Sequence, residues 1–223
     1  SSKLIMRSIL IVGGTKGIGK AVADILHENE CVVISRNPSS NANHIVCDIL
    51  HDDLPQIDDI NGVVYCPGTI NLKPFHRLSK EDFISDFNTN VWGAVRVLQH
   101  YYRNLKKNKG SVVLFGTVAS RQGMSFHASV AASKGGVEAL GRSLAAEWAP
   151  HIRVNVVNPS LTDTPLAQEL LNTDQKRENA ANRHPLKKIG MPRDIAQAVL
   201  FCLDNEWVTG QTIGVDGGMS TLK

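Results

Sequence analysis

The stretch ILIVGGTKGIGKAVADIL, residues 9–26, decides the fold. It opens on a β-branched apolar run, which reads as a strand. Gly13, Gly17 and Gly19 then fall in a G-x-x-x-G-x-G spacing, close to the glycine fingerprint of dinucleotide-binding turns but not identical to it. Ile18, Ala21, Val22, Ile25 and Leu26 recur at helical intervals, so an amphipathic helix follows. Glycines at such a turn let the backbone bend tightly and approach a pyrophosphate with no Cβ in the way. The helix start adds free N–H groups and the positive end of its dipole.

The same alternation runs through the chain. SILIV (8–12), CVVIS (31–35), HIVC (44–47), GVVYC (62–66), SVVLF (111–115), IRVNVV (152–157) and TIGV (212–215) read as strands, mostly apolar without alternation, as strands buried on both faces are. Segments 79–106, 128–148 and 193–204 are helical by pattern. The expectation is an α/β protein: a Rossmann-like, doubly wound parallel sheet of about seven strands, residues 1–223 forming a single domain. One crossover is shortened. Only RNPSSNAN separates the second and third strands, where a parallel connection usually needs a dozen residues or more, so a loop or single turn is expected there.

Composition narrows the function. A net charge of +3, with no dense basic run, gives no footprint for nucleic acid. No apolar stretch approaches the roughly 20 residues that span a bilayer, and the first residues lack the pattern of a secretory leader. Four cysteines without C-x-x-C spacing, three of them in strand-like runs, read as buried free thiols of a reducing compartment. The expected location is cytoplasmic, with no nucleic-acid or membrane partner and no metal site.

The second strand ends in Ser35 and Arg36, where an acid would hold the ribose 2′-hydroxyl of NAD. Lys16 lies inside the glycine turn. Two cations in reach of one 2′-phosphate favour NADP(H) over NAD(H). Asp48, closing the third strand, either accepts from an adenine amino group or caps the turn.

With these motifs in order, the sequence resembles the short-chain dehydrogenase/reductase family over almost its whole length. GGTKGIG (13–19) is similar to that family's cofactor loop, CDI (47–49) to its adenine contact and TNVWG (89–93) to the helix carrying its active-site asparagine, here Asn90. GSVVLFGTVASRQG (110–123) is similar to the strand and loop of its catalytic serine, ASKGGVEALGRSLAAEWAPHIRVNVVNPSLTDTPL (132–166) to its active-site helix, sixth strand and nicotinamide loop, and VTGQTIGVDGG (208–218) to its last strand. The resemblance implies cofactor contacts from Gly13, Thr15, Lys16, Gly17, Ile18, Gly19, Ser35, Arg36, Asp48, Ile49, Pro67, Gly68, Lys134, Pro159, Ser160, Thr162 and Thr164. It also implies a small-molecule substrate and a homodimer or homotetramer.

It implies as well a tetrad of Asn, Ser, Tyr and Lys, in which the tyrosine protonates the forming alkoxide. Asn90 and Lys134 match. Thr117 stands for the serine and keeps a hydroxyl donor. In FHASVAASKGG (126–136), Val130 stands where the tyrosine belongs, and a valine has no proton to give. General acid catalysis contributes about 10²–10⁴-fold, so the loss matters. Seven residues before Lys134, on the same helical face, His127 occupies the place where enoyl reductases of the family carry their tyrosine. It is therefore a catalytic candidate beside Asn90, Thr117 and Lys134.

The reading is an NADP(H)-dependent oxidoreductase of a carbonyl or conjugated C=C substrate with a non-standard proton donor. The alternative is a catalytically impaired cofactor-binding protein serving as redox sensor or oligomer partner. The polar segment 166–190 reads as a lid over the substrate end, with Arg183, His184 and Lys187 as solvated surface.

Overall fold

A computed structural model describes residues 8–26, 30–39 and 43–222. Seven strands form one parallel sheet: β1 (Ile9–Val12), β2 (Cys31–Ser35), β3 (His44–Val46), β4 (Gly62–Tyr65), β5 (Ser111–Phe115), β6 (Arg153–Pro159) and β7 (Thr212–Val215). Their spatial order is β3-β2-β1-β4-β5-β6-β7, every neighbouring pair parallel. The order reverses between β1 and β4, the switch point at which doubly wound sheets open a crevice at the C-terminal strand ends.

Side chains of a strand alternate between its faces, and here both faces are covered. Leu10 and Val12 join Val63, Val112, Leu114 and Val156 in one core. It is closed by α3 (Gly93–Lys107) and α4 (Ala128–Trp148), which bring Leu98, Tyr101 and Val137. Ile9 and Ile11 join Val33, Val64, Val113 and Val157 in the other, under α1 (Gly17–Ile25) and α6 (Pro192–Asp204). The unalternating apolar strands of the sequence are thus one requirement met twice, once per face.

All seven expected strands form, within two residues of their expected ends. The described residues of the β2–β3 connection, 36–39 and 43, contain no helix; residues 40–42 lie outside the description. The segment expected as one helix over 79–106 is interrupted. α2 (Lys80–Phe87) starts from a capping box of Ser79 and Asp82 and runs into a π-turn at Asn88–Trp92 before α3. The hydroxyl of Tyr65 donates to the Thr89 carbonyl in that turn at 2.7 Å. A Cβ on Gly93 would stand 2.1 Å from the same hydroxyl, so glycine is what lets α3 sit this close to β4.

The loop after β5 is fixed by a buried carboxylate. Glu138 on α4 accepts from Asn158 Nδ2 at 2.7 Å, Arg121 Nε at 2.8 Å and the Ser120 hydroxyl. Burial pushes its pKa up, but the three donors outweigh that and hold the carboxyl below its ordinary value. Its stabilisation is therefore present above the ordinary glutamate range and is lost as pH falls through the lowered folded-state value. Glu138→Gln is expected to lower stability at neutral pH by roughly 1–3 kcal/mol. Thermal melts from neutral to acid pH should show the gap between the two proteins closing as the wild-type carboxylate is protonated.

Candidate active site

A cleft of about 1240 Å³ opens along the C-terminal strand ends, from the glycine turn to the segment after β6. At one end Gly13, Lys16, Gly17, Ile18 and Gly19 line it together with Arg36. Gly13 and Gly17 have positive φ, 77° and 55°, which non-glycine residues rarely adopt. A Cβ on Gly19 would lie 2.4 Å from the Gly13 carbonyl, so only glycine lets α1 begin against the end of β1. Lys16, at the cap of α1, makes no side-chain capping bond, and no acid occupies the helix's first turn. That start presents N–H groups to an anion without a competing carboxylate.

At the other end Gly68, Thr117, His127, Val130, Lys134, Pro159, Ser160, Thr162 and Thr164 line the same cleft. Lys134, buried on α4, donates from Nζ to the Phe115 carbonyl at 2.9 Å. Burial drives its pKa down to about 8, with opposing contributions from Cys66 and Asp86. The Cys66 thiol, also in the lining, is pushed up to about 12 by burial, Lys134 opposing. At neutral pH the pair is a cationic ammonium beside an un-ionised thiol. Val130 is 6% exposed and presents an apolar surface one helical turn before Lys134, at the position where the resemblance leads one to expect a tyrosine.

Asn90 does not line the cleft but stands directly behind it. It is 1% exposed and donates to Ser133 Oγ at 2.8 Å and Thr69 Oγ1 at 3.1 Å. The amide oxygen of Asn90 lies 3.6 Å from where a Gly68 Cβ would stand, and Lys134 Nζ 3.4 Å from it, so Gly68 separates the two. Thr117 accepts from the Ala119 N–H at 3.3 Å and retains its hydroxyl hydrogen for another partner. His127 caps α4, half-buried, its Nδ1 bonded to the Ser125 carbonyl at 2.7 Å.

Other sequence candidates fall outside the lining. Thr15, Ser35, Asp48, Ile49 and Pro67 are not part of it. The Ser35 hydroxyl donates to the Asn37 carbonyl and meets His44 Nε2, both at 2.8 Å. Asp48 accepts from Leu50 N–H at 3.0 Å and pairs with His51 at 3.1 Å, the turn-capping alternative. Ile49 is buried under Arg96 and Gly93, and Pro67 packs on Gly13.

Two features were not legible beforehand. His184, expected at the surface, is 2% exposed and lines the cleft, because the 166–190 segment folds back against Ser160–Thr162, the stretch that follows β6. A 3-10 turn (Pro165–Leu170) and α5 (Asp174–Arg183) pack Ala167, Leu171 and Ala180 together, and Arg177 pairs with both oxygens of Asp163 at 2.9 and 3.0 Å. Arg183 and Lys187 are exposed as expected. The second feature is Asp86, 1% exposed, which accepts from Thr69 Oγ1 at 2.6 Å and from the Ser129 hydroxyl. An aspartate four residues before Asn90 was the available signal.

A glycine turn thus shares one cleft with a buried lysine and a row of hydroxyl donors, and comparison with known proteins gives the class. A family model described as enoyl-(acyl carrier protein) reductase matches residues 50–220. Carbonyl reductase family member 4 of Danio rerio is 32% identical, covering 97% of this chain and 99% of that protein. The 3-oxoacyl-[acyl-carrier-protein] reductase MabA of Mycobacterium tuberculosis is 31% identical over 96% of this chain and 93% of its own. The ligand-free aldohexose dehydrogenase of Thermoplasma acidophilum shares the fold, with a TM-score of 0.87 at 23% identity over 97% and 95% of the two chains. The chain belongs to the short-chain dehydrogenase/reductase family, whose members bind NAD(P)(H), and it is an oxidoreductase of that kind.

A lysine charge buried with a single carbonyl partner destabilises the unliganded protein. Its lowered pKa means that stability should rise as pH climbs from about 8 toward the ordinary lysine value, where the unfolded chain still holds the proton. Lys134→Met is expected to stabilise the unliganded protein by roughly 1–3 kcal/mol at neutral pH. Denaturant titrations at neutral and alkaline pH check this: the advantage should shrink in the alkaline series.

Proposed function

We propose that the protein is an NADP(H)-dependent reductase of a carbonyl, or of a C=C bond conjugated to one. The observation that supports this most is the continuity of the cleft, which joins two cations at its nucleotide end to Lys134 and Thr117 at the other. The residues fit the cofactor: the Gly19–Gly13 approach leaves a backbone cradle that a Cβ would fill. Lys16 and Arg36 would hold a 2′-phosphate, and the start of α1 the pyrophosphate. Lys134 would hold the nicotinamide ribose, and Thr162 and Thr164 the carboxamide or a phosphate. The bound nicotinamide supplies a hydride.

Thr117 donates to the substrate oxygen and offsets the charge that develops there. Asn90 positions Thr69 and Ser133 behind Lys134. With Val130 inert, the proton must come from another group, for which His127 at the cleft margin is the candidate derived from sequence. Ile70, Leu72, Met124, Phe126 and Leu166 give the substrate end an apolar lining suited to an aliphatic enone or an acyl thioester. Phe83, Ile84, Phe87 and Trp92, exposed along α2 and the π-turn, suit a homodimer or homotetramer.

Fluorescence titration with NADPH and NADH in parallel tests the reading. Preferential binding of NADPH is expected, and Arg36→Ala should weaken NADPH about 10–100-fold while leaving NADH unaffected. Failure to bind either nucleotide would overturn it. Val130→Tyr tests whether the remaining site is intact: it should raise ketone reduction, by up to the roughly 10²–10⁴-fold of general acid catalysis where no other group already supplies the proton. No gain would favour the redox-sensor or oligomer-partner alternative.

A further inference from the structure

The cleft contains a hydroxyl–imidazole pair that the sequence did not announce. Ser160 follows directly on β6, and its Oγ lies 2.8 Å from His184 Nε2. The other ring nitrogen, Nδ1, lies 2.8 Å from the Ala180 carbonyl in α5. A carbonyl only accepts, so Nδ1 carries a hydrogen and Nε2 is the nitrogen that gains or loses a proton. Gly217, with φ of 63°, backs the ring: a Cβ there would lie 3.5 Å from the imidazole. Orientation and tautomer are both fixed, as in a built acid–base site.

The pair sits beside Thr117. Phe115 of β5 and Val157 of β6 are in register, and the Gly116 N–H donates to the Val157 carbonyl at 3.0 Å. Thr117 and Ser160 therefore leave adjacent strands, spaced about 4.8 Å apart, on the same margin of the cleft. We propose that Ser160 and His184 form the proton donor that replaces the missing tyrosine, Ser160 as the catalytic residue and His184 as the group that recharges it. The proposal rests on the reductase reading.

When His184 is neutral, the Ser160 hydroxyl donates to Nε2. When it is protonated, the bond reverses: Nε2–H donates to Oγ, and the serine hydrogen is freed toward the cleft. As hydride reaches the carbonyl carbon, the π pair moves to oxygen. The Ser160 O–H bond breaks to form the product O–H, and the Nε2 proton passes to Oγ. The serine is restored, the imidazole is left neutral, and solvent returns its proton. For an enone the same proton neutralises the enolate oxygen.

The rival groups are less suited. Both oxygens of Asp86 accept hydroxyl bonds, so in this arrangement it has no proton to give. The charges around His184 are otherwise engaged or exposed: Asp216 accepts from Gly218 and Ser220, Lys187 donates to the Asn182 carbonyl and Lys176 to that of Glu169, and Arg183 is exposed. Asp163 pairs with Arg177, and Lys134 donates to Phe115.

The first measurement is ¹⁵N-histidine NMR of the unliganded protein. Nδ1 should stay protonated, held by the Ala180 carbonyl, while Nε2 is the nitrogen that exchanges its proton, and Ser160→Ala should alter the Nε2 signal. A ring that carries its hydrogen on Nε2 with Nδ1 bare overturns the proposal. The second is the pH profile of kcat/KM with NADPH and two carbonyl probes, phenanthrenequinone and acetoacetyl-CoA. Reduction should fall as pH rises through deprotonation of His184, and Ser160→Ala should lower kcat about 10²-fold. His184→Gln, which keeps a hydrogen bond to Ser160 but does not titrate, should flatten that limb. A limb unchanged in His184→Gln overturns this proposal alone, and one that moves only in His127→Gln assigns the proton to His127. NADPH binding without turnover of either probe overturns it together with the reductase reading.

Discussion

The bond from Lys134 to the Phe115 carbonyl is the constraint around which the cleft is arranged. It joins the second turn of α4 to the C-terminal end of β5, and it places a cationic group at the strand ends. A long side chain keeps a charge this deep only if its surroundings are held still. Glu138, one helical turn further along α4, does so on the far side by fixing the Ser120–Arg121 loop and Asn158 of β6. Asn90, set by the π-turn, does so on the near side through Ser133. Helix, loop and two strands are pinned within a few residues of one ammonium, and Thr117 and Ser160 inherit their positions from that framework.

The inner strands were readable because each must satisfy two apolar faces with four to seven residues, which leaves little freedom in the pattern. The glycine turn was readable because positions 13, 17 and 19 each meet a backbone demand that no other residue meets so easily. The π-turn was not. It arises from a tertiary contact, the fit of Gly93 against Tyr65, whose two members lie 28 positions apart in sequence. Nothing in the local period of residues 79–106 distinguishes an uninterrupted helix from one that widens for five residues.

The same distinction governs the site. Lys16, Arg36, Thr117, Val130 and Lys134 meet in one cleft because they follow the ends of strands or lie on one face of a helix, both of which the pattern defines. Asp48 and Ser35 were ambiguous for a physical reason: short polar side chains at strand ends bond to their own turns as readily as to a ligand. His184 was misplaced. Its segment is polar and reads as solvated, yet Ala167, Leu171 and Ala180 form a small apolar seam that draws the histidine inward onto Ser160. Three small contacts spread over fourteen positions leave no period to detect.

The valine at position 130 changes more than the proton inventory. A phenol there would give the Lys134 ammonium a second polar neighbour and bring a proton to the cleft wall. The isopropyl group supplies neither, and it thickens the apolar surroundings that already drive the lysine down to about 8. In the proposed function, an ammonium in that state would gain from a ribose hydroxyl, since each added bond relieves its desolvation. Spending its proton on substrate would leave a neutral amine, whose hydrogen bonds to Phe115 and to the ribose are weaker than those of the charged group. Holding the nucleotide and delivering the proton are therefore better divided between two groups, and the cleft supplies the second at the end of the neighbouring strand, where an oriented imidazole is reached through a serine.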